Sequence, residues 1–99
     1  MKSKKYRAAA KGQDCTLNIA GVCNYDNSTT VLAHFPSEDN GMGTKSSDIS
    51  AGDACSECHR IIDQRGSCSE FDDHAGFYLR RAQTRTILRR IDMGLIVIK

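Results

Sequence analysis

Four of the five cysteines in this chain of 99 residues fall into two pairs with the spacing of metal ligands. Seven residues separate Cys15 from Cys23 across a glycine-containing turn, and Cys55 and Cys58 have the Cys-x-x-Cys spacing of a zinc knuckle. Four thiolates around one Zn²⁺ form the usual closed structural site. Because so short a chain buries little apolar surface, metal binding would supply free energy of folding that the core cannot. The sequence therefore predicts a structural zinc held by Cys15, Cys23, Cys55 and Cys58.

Two other uses of these cysteines stay open. A redox Cys-x-x-Cys motif usually accompanies a βαβ pattern, which the sequence lacks, and disulfides need an oxidising compartment. The basic N-terminal segment is not followed by the apolar stretch of a secretory signal, and no apolar run approaches the length of a membrane span. We therefore expect a cytoplasmic protein with no membrane partner. The odd number of cysteines leaves Cys68 as a free thiol.

Two histidines stand where they could act beside a metal ion. His59 directly follows the thiol of Cys58, and it forms an i, i+4 pair with Asp63 on one face of a predicted helix, so both side chains can reach one point. His34 ends a predicted strand. A lone histidine is more often packed or solvated than a ligand, but the adjacency of Cys58 and His59 is more specific.

The pattern of these residues resembles that of the HNH, or ββα-metal, nucleases that carry a zinc knuckle. It is more closely similar to the small YbcO-like proteins of prophages, which are described as nucleases. The matching stretches lie within about residues 8–65, and they are residues 12–15, 19–24, 31–34, 43–45, 54–59 and 62–63. The last third of the chain matches only in general character.

The resemblance implies a catalytic role for both histidines. In HNH enzymes the histidine that ends the strand is the general base for a water molecule, and His34 takes that place. A histidine of the helix binds a divalent metal, and His59 takes that place, with Mg²⁺ or Mn²⁺ as the implied ion. Two positions depart from the pattern. Ala33 stands where many HNH proteins have an aspartate ligand, and Ser50 stands where many have an asparagine.

Nearby carboxylates could replace the missing groups. Asp48 could orient His34, and Asp63 could supply the second ligand of the catalytic metal. The weaker candidates are Asp53, Glu57 and His74. The role of His34 stays open between base and metal ligand. Two alternatives also stay open: His34 and His59 only pack beside the zinc or complete its shell, or the fold is an inactive nuclease that only binds DNA.

The net charge of +2 is divided unevenly along the chain. Residues 1–12 and 80–90 each carry five basic residues and no acid, whereas residues 13–79 carry three basic and eleven acidic residues. Basic segments attract polyanions such as DNA, although a charge run is often only a solvated helix face. The residues predicted to bind nucleic acid are Lys45, Arg80, Arg81, Arg85 and Arg89. We recognise no element that reads bases, so we expect limited sequence specificity.

These residues are expected in a small α+β fold of the ββα-metal type with an Arg-rich C-terminal helix. We predict a flexible basic arm over residues 1–12 and a single zinc-containing HNH-like domain over residues 13–99. The predicted elements are strands over 15–19 and 29–34, a loop over 37–52, helices over 55–65 and 75–93, and a short strand over 95–98. Asp53 could cap the first helix. The predicted buried side of the second consists of Phe77, Leu79, Ala82, Ile87, Leu88 and Ile91.

Together these expectations describe a metal-dependent DNA endonuclease of prophage origin that acts in phage recombination or replication. The alternative is a catalytically inactive zinc-ribbon module that binds nucleic acid or a recombination protein. A homodimer would allow both strands to be cut, although nothing in the sequence marks an interface. A third hypothesis, a zinc-dependent regulator whose Cys68 senses oxidation, rests on the odd cysteine alone.

Overall fold

The computed structural model describes residues 3–35, 48–63 and 68–97. Its elements, in chain order, are α1 (Lys4–Ala8), a 3₁₀ turn (Asn27–Thr29), β1 (Val31–His34), β2 (Ala51–Ala54), α2 (Ser56–Ile62) and α3 (Ser69–Asp92). The two strands pair antiparallel, with Val31 opposite Ala54 and His34 opposite Ala51. This two-stranded sheet with helices confirms the predicted α+β class. Lys45 and most of the predicted loop over 37–52 lie outside the described residues.

The second strand is the element that the sequence prediction missed. Its four residues are alanine, glycine, aspartate and alanine, which have weak strand propensity. The predicted loop over 37–52 includes the first two of them. All four are buried, and Asp53 lies in this strand, so it does not cap α2. The cap is Cys55, whose sulfur accepts a hydrogen bond from the Cys58 amide. β2 forms because packing on both sides encloses it, an effect that local propensity does not report.

Helix α3 begins at Ser69, six residues earlier than predicted, and includes a non-helical residue at His74. Its buried residues repeat every fourth position, and they are Tyr78, Ala82, Thr86 and Arg90. The predicted apolar side was therefore wrong in part, because Phe77 is 59% exposed and Leu88 is 57% exposed. Small and polar side chains face β2 because the helix approaches that strand closely. A β-carbon built on Gly52 would lie 3.1 Å from the β-carbon of Ala82.

The predicted strand over residues 15–19 is an irregular segment that pairs with β2 at one residue. The Thr16 amide donates to the Asp53 carbonyl at 2.8 Å, and the Thr16 hydroxyl donates to the same carbonyl at 2.7 Å. Asn18 then takes a left-handed conformation with φ of 46°, which asparagine tolerates and which interrupts a strand. No strand forms over residues 95–97 either. Gly94, with φ of 77°, follows the end of α3 there.

Residues 3–12, predicted as part of a flexible arm, contain α1 and a turn. Ser3 caps α1, since its hydroxyl accepts a hydrogen bond from the Tyr6 amide at 3.2 Å. The Tyr6 side chain is 1% exposed, and its ring lies 5.0 Å from the guanidinium carbon of Arg90 in α3. The N-terminal helix is thereby packed against the C-terminal one.

The apolar core joins the irregular segment, the sheet, α2 and α3. Its members are Cys15, Leu17, Ile19, Ala33, Phe35, Ala54, Cys55, Cys58, Ile61, Tyr78 and Ala82. Three of the four predicted metal ligands thus belong to the core itself, so a metal there would link the core segments directly. In the described part of the chain, no helix is long and apolar enough to cross a bilayer.

Candidate metal centre and histidine–carboxylate pairs

The structure brings the four predicted thiol ligands together. The sulfur atoms of Cys15, Cys23, Cys55 and Cys58 all lie within 4.8 Å of one another. The Cys23 and Cys55 sulfurs are 3.8 Å apart. Four sulfurs at about 2.3 Å from a tetrahedral Zn²⁺ would be separated by about 3.8 Å. The cluster therefore has the donor type, number and spacing to hold a metal ion such as Zn²⁺.

Nitrogen donors surround these sulfurs. The Asn18 amide donates to Cys15 at 3.5 Å, its side chain donates to Cys23 at 3.6 Å, and the Cys58 amide donates to Cys55 at 3.4 Å. Hydrogen bonds of this kind stabilise the thiolate form, which is the form that binds metal. The left-handed conformation of Asn18 thus places its backbone amide against one sulfur and its side-chain amide against another.

Two buried thiols compete for one proton in this cluster. A hydrogen bond with the Cys58 thiol lowers the pKa of Cys15, and the same contact raises the pKa of Cys58. Burial adds to the rise at Cys58 and also raises the pKa of Cys23. Protons on these crowded thiols would stabilise the cluster less than a metal ion would, because a divalent ion compensates the negative charge of several thiolates at once.

The structure also brings His34 and Asp48 together, as the sequence analysis proposed. The His34 Nε2 atom lies 2.7 Å from the Asp48 Oδ1 atom. The Asp48 side chain is buried, whereas 35% of the His34 side chain is exposed. Water can therefore reach the imidazole, while the carboxylate that holds it is shielded.

Two groups of the N-terminal segment complete the surroundings of Asp48. The Ser3 amide donates to Asp48 Oδ2 at 2.5 Å, and Arg7 Nη1 donates to the same oxygen at 2.9 Å. Burial by itself would raise the pKa of Asp48. The hydrogen bonds from His34 and Ser3 and the charge of Arg7 outweigh it, so the pKa lies below its usual value. Asp48 is accordingly an ionised acceptor at neutral pH, with one oxygen for His34 and the other for α1.

The second pair, His59 and Asp63, lies on α2 and at its C-cap. Nε2 of His59 is 3.1 Å from Oδ2 of Asp63, and both side chains are more than a third exposed. Within residues 3–35, 48–63 and 68–97, the cysteine cluster is the one group of three or more histidine, cysteine or acidic side chains close enough to share an ion. The two histidine–carboxylate pairs therefore do not form a ready-made site of three or more protein ligands.

The weaker candidates lie in other surroundings. Glu57 accepts a hydrogen bond from Arg60 at 2.9 Å on the surface of α2. Asp53 is fully buried and accepts hydrogen bonds from Arg89 and Arg90. His74 is exposed at the irregular turn of α3. None of these three lies in either histidine–carboxylate pair.

The predicted phosphate-binding arginines differ in the contacts that their guanidinium groups make within the fold. Arg80 is exposed on α3 and makes no ion pair with any residue that the structure describes. Arg81 donates to the Leu17 carbonyl at 2.7 Å, and Arg85 donates to the Asn18 side chain at 3.2 Å. Arg89 is held by Asp53 at 2.7 Å. Its charge is therefore partly neutralised within the fold.

Sequence reasoning missed two features that bear on these groups. It treated Arg7 as one more non-specific cation, although Arg7 holds Asp48. It also overlooked the buried ion pair between Asp53 and Arg90, both of whose side chains are 0% exposed. Neither contact has a local signal, since 41 and 37 residues separate the partners. One hint of the second contact was that arginines recur at spacings of four or five positions over residues 80–90.

Residues 4–95 match the model of a protein family described as "Putative nuclease YbcO". Two curated relatives are each 48% identical over 60 residues: "Putative nuclease YbcO" of Escherichia coli strain K12 and "Putative nuclease ybcO" of Enterobacteria phage 82. This match covers 60% of the chain and 62% of each relative, which is less than two thirds of the relatives' length.

A solved structure shares the fold. It is named "Structure of a putative bacteriophage protein from Escherichia coli str. K-12 substr. MG1655" and is 34% identical to the chain, with a TM-score of 0.68. The superposition covers 91% of this chain and 100% of that one. The likeness therefore extends over most of this chain.

Proposed function

Because the chain belongs to the YbcO family, we propose that it is a nuclease that hydrolyses phosphodiester bonds in DNA. The observation that carries the proposal is the contact of 2.7 Å between His34 and Asp48 at the end of β1. A histidine that a buried carboxylate orients and that water can reach is equipped for general-base catalysis. The resemblance to HNH nucleases gives His34 the same role.

The Asp48 contact decides which nitrogen of His34 can act. An ionised carboxylate accepts only, so a neutral imidazole donates its Nε2 proton to it and carries no proton on Nδ1. Nδ1, for which the described residues provide no partner, can then take a proton from a water molecule as that water attacks phosphorus. The bond from phosphorus to the leaving sugar oxygen breaks, and that oxygen takes a proton from solvent. Asp48 also stabilises the imidazolium that results, because its negative charge lies next to Nε2. Asp48 is a positioning residue in this scheme, and His34 is the catalytic one.

The metal chemistry in the proposal is divided between two places. The four cysteines would hold a structural zinc that links the core segments. His59 and Asp63 would offer one imidazole nitrogen and one carboxylate oxygen to a catalytic Mg²⁺ or Mn²⁺. When bound there, such an ion would neutralise the charge that develops on the phosphate. Water and phosphate oxygens would have to supply its remaining ligands.

The rest of the proposal concerns the setting of the reaction. One relative comes from a phage, which supports a prophage origin. We further propose that the protein acts in phage recombination or replication, in the cytoplasm. Arg80, Arg81 and Arg85, with Lys45 from the sequence analysis, would contact phosphates without reading bases. A homodimer or a recombination partner would be needed for paired cuts in two strands.

Cleavage assays with matched variants test the proposal. Plasmid, single-stranded and branched DNA are incubated with the zinc-loaded protein in Mg²⁺ or Mn²⁺. We expect His34→Ala to lower the cleavage rate by about 10²- to 10⁴-fold, the usual contribution of a general base. His59→Ala should also lower it, in a way that higher metal concentration partly restores. His74→Ala, which changes an exposed histidine outside both pairs, is the control.

The proposal fails if no DNA is cut, or if His34→Ala and His59→Ala cut as fast as His74→Ala. Circular dichroism and zinc content establish that each variant is folded.

One observation favours a second function, a catalytically inactive module that binds nucleic acid. Among the described residues, His59 and Asp63 bring two protein ligands together, short of a group of three or more that could share an ion. Binding of DNA without turnover in any metal would support that function.

A further inference from the structure

One face of α3 carries a groove that the proposed catalytic groups do not use. It has a volume of about 670 Å³ and is lined by Gly76, Phe77, Arg80, Arg81, Thr84 and Arg85. One aromatic ring and three arginines meet there, and none of the described residues that line it is acidic. Sites for small ligands and single groups usually have volumes of about 300–1,000 Å³. The groove is therefore large enough to receive a nucleotide.

The aromatic ring in this groove is exposed and yet held in place. Phe77 is 59% exposed. The Arg81 guanidinium carbon lies 4.8 Å from its ring centroid, and the Tyr78 ring meets it at 5.6 Å in an edge-on arrangement of 69°. Arg81 is in turn fixed by its hydrogen bond to the Leu17 carbonyl. A ring that is already oriented loses little conformational entropy when a ligand stacks on it.

No acidic residue in the described part of the chain neutralises the positive charges of the groove. Arg81 and Arg85 donate to a neutral carbonyl and a neutral amide. Arg80 makes no ion pair within the described ranges. Arg89, one turn beyond the groove, shows the contrast because it is bound to the Asp53 carboxylate. The groove therefore combines an apolar ring with net positive charge, which complements a ligand that has an aromatic face and an anionic backbone.

We propose that this groove binds an unpaired nucleotide, whose base stacks on Phe77 while flanking phosphates contact Arg80 and Arg85. Aromatic rings beside a basic groove are the usual device for binding single strands, because every base offers a stacking face. In a paired duplex the bases are stacked on each other and only phosphates would reach this surface. The proposal rests on the proposed function. It narrows the substrate class to single-stranded nucleic acid or to junctions and ends with unpaired bases.

Fluorescence anisotropy with labelled oligonucleotides tests the stacking step directly. Oligo-dT, an abasic strand of the same length, oligo-rU and a blunt duplex are compared in buffer without added Mg²⁺ or Mn²⁺, so that no strand is cut. We expect the wild-type protein to bind oligo-dT or oligo-rU more tightly than the abasic strand. Phe77→Ala should weaken binding to the base-containing strand by at least about 5-fold and leave binding to the abasic strand nearly unchanged.

Leu88→Ala is the control for Phe77→Ala, and Arg60→Gln is the control for a second test variant, Arg80→Gln. Leu88→Ala removes a side chain of α3 that is 57% exposed but lies outside the groove, and it should change no affinity. Arg80→Gln should weaken binding to both strands and reduce the salt dependence, since it removes a phosphate contact. Arg60→Gln removes a positive charge on α2 and should have a smaller effect. The oligo-dT and oligo-rU arms distinguish DNA from RNA as the source of the unpaired nucleotide.

Several outcomes would overturn the inference. Equal losses for Phe77→Ala on the base-containing and abasic strands would exclude stacking, and so would no loss at all. Tighter binding of the blunt duplex than of oligo-dT would exclude a preference for unpaired bases. Displacement of oligo-dT by polyglutamate at equal charge would assign the groove to an acidic protein segment instead. Because the readout is binding, a protein that stacks bases and cuts nothing would retain the groove while refuting the nuclease proposal.

Discussion

Substitution of Asp53 by asparagine tests the contact that joins the sheet to the C-terminal helix. The Asp53 carboxylate accepts hydrogen bonds from Arg90 Nη1 at 3.0 Å and from Arg89 Nη1 at 2.7 Å. Both Asp53 and Arg90 are 0% exposed, and Arg90 also donates to the Tyr6 carbonyl of α1 at 3.1 Å. In Asp53→Asn, an amide would face the guanidinium of Arg90, and that buried charge would have no counter-ion.

The expected loss follows from the burial of both partners. Removal of one partner of a buried ion pair costs about 3–5 kcal/mol, because the other charge remains buried and uncompensated. A domain of this size has a free energy of unfolding of about 5–15 kcal/mol. Each kcal/mol corresponds to about 4–8 °C in Tm. Asp53→Asn should therefore lower the Tm by at least about 12 °C.

Thermal unfolding followed by circular dichroism measures this loss, with zinc saturation held equal because a bound ion shifts the Tm by mass action. Glu57→Gln is the control, since it breaks the exposed pair with Arg60, which lies at 2.9 Å on α2. An exposed pair contributes about 0–1 kcal/mol, so the control should lose a few degrees at most. If Asp53→Asn unfolds within a few degrees of Glu57→Gln, then the buried ion pair does not hold α3 to β2.

The remaining predictions concern the metal centre, the close approach of the sheet to α3, and the His34 partner. Cys55→Ser, or removal of metal by a chelator, should abolish the cooperative unfolding transition and reduce bound zinc from one ion per chain, as measured by metal analysis; a folded, metal-free protein would contradict this. Gly52→Ala should destabilise the fold by about 1–3 kcal/mol in urea unfolding, because its β-carbon would lie 2.8 Å from the Phe35 ring; an unchanged midpoint would show that the ring can move freely. The pKa of Asp48 is lowered in the fold, so its contribution to stability is present above the unfolded pKa of about 3.9 and is lost as the pH falls through the folded value. Asp48→Asn should remove that part of the acid dependence of the Tm, and an identical acid profile would refute it.

Spacing along the chain was enough to identify the groups whose partners are near in sequence or whose chemistry is distinctive. The two cysteine pairs lie together as expected, since thiols at metal-ligand spacing have few other uses in a small chain. The contact between His59 and Asp63 follows from helical geometry at i, i+4. The α+β class and the existence of α2 and α3 followed from hydrophobic pattern and breakers. The pair of His34 and Asp48 was expected from the family resemblance and not from spacing.

Tertiary structure alone decided the contacts made between distant segments. β2 is composed of weak strand formers and exists because β1 and α3 enclose it. The buried side of α3 is set by Tyr78, Ala82, Thr86 and Arg90, because a close approach to β2 admits small side chains and a buried aspartate attracts an arginine. Because these residues form the buried side of the helix, Phe77 lies on its exposed side. These contacts depend on which charges and side-chain volumes meet in space. The sequence of one segment does not show which distant segment will pack against it.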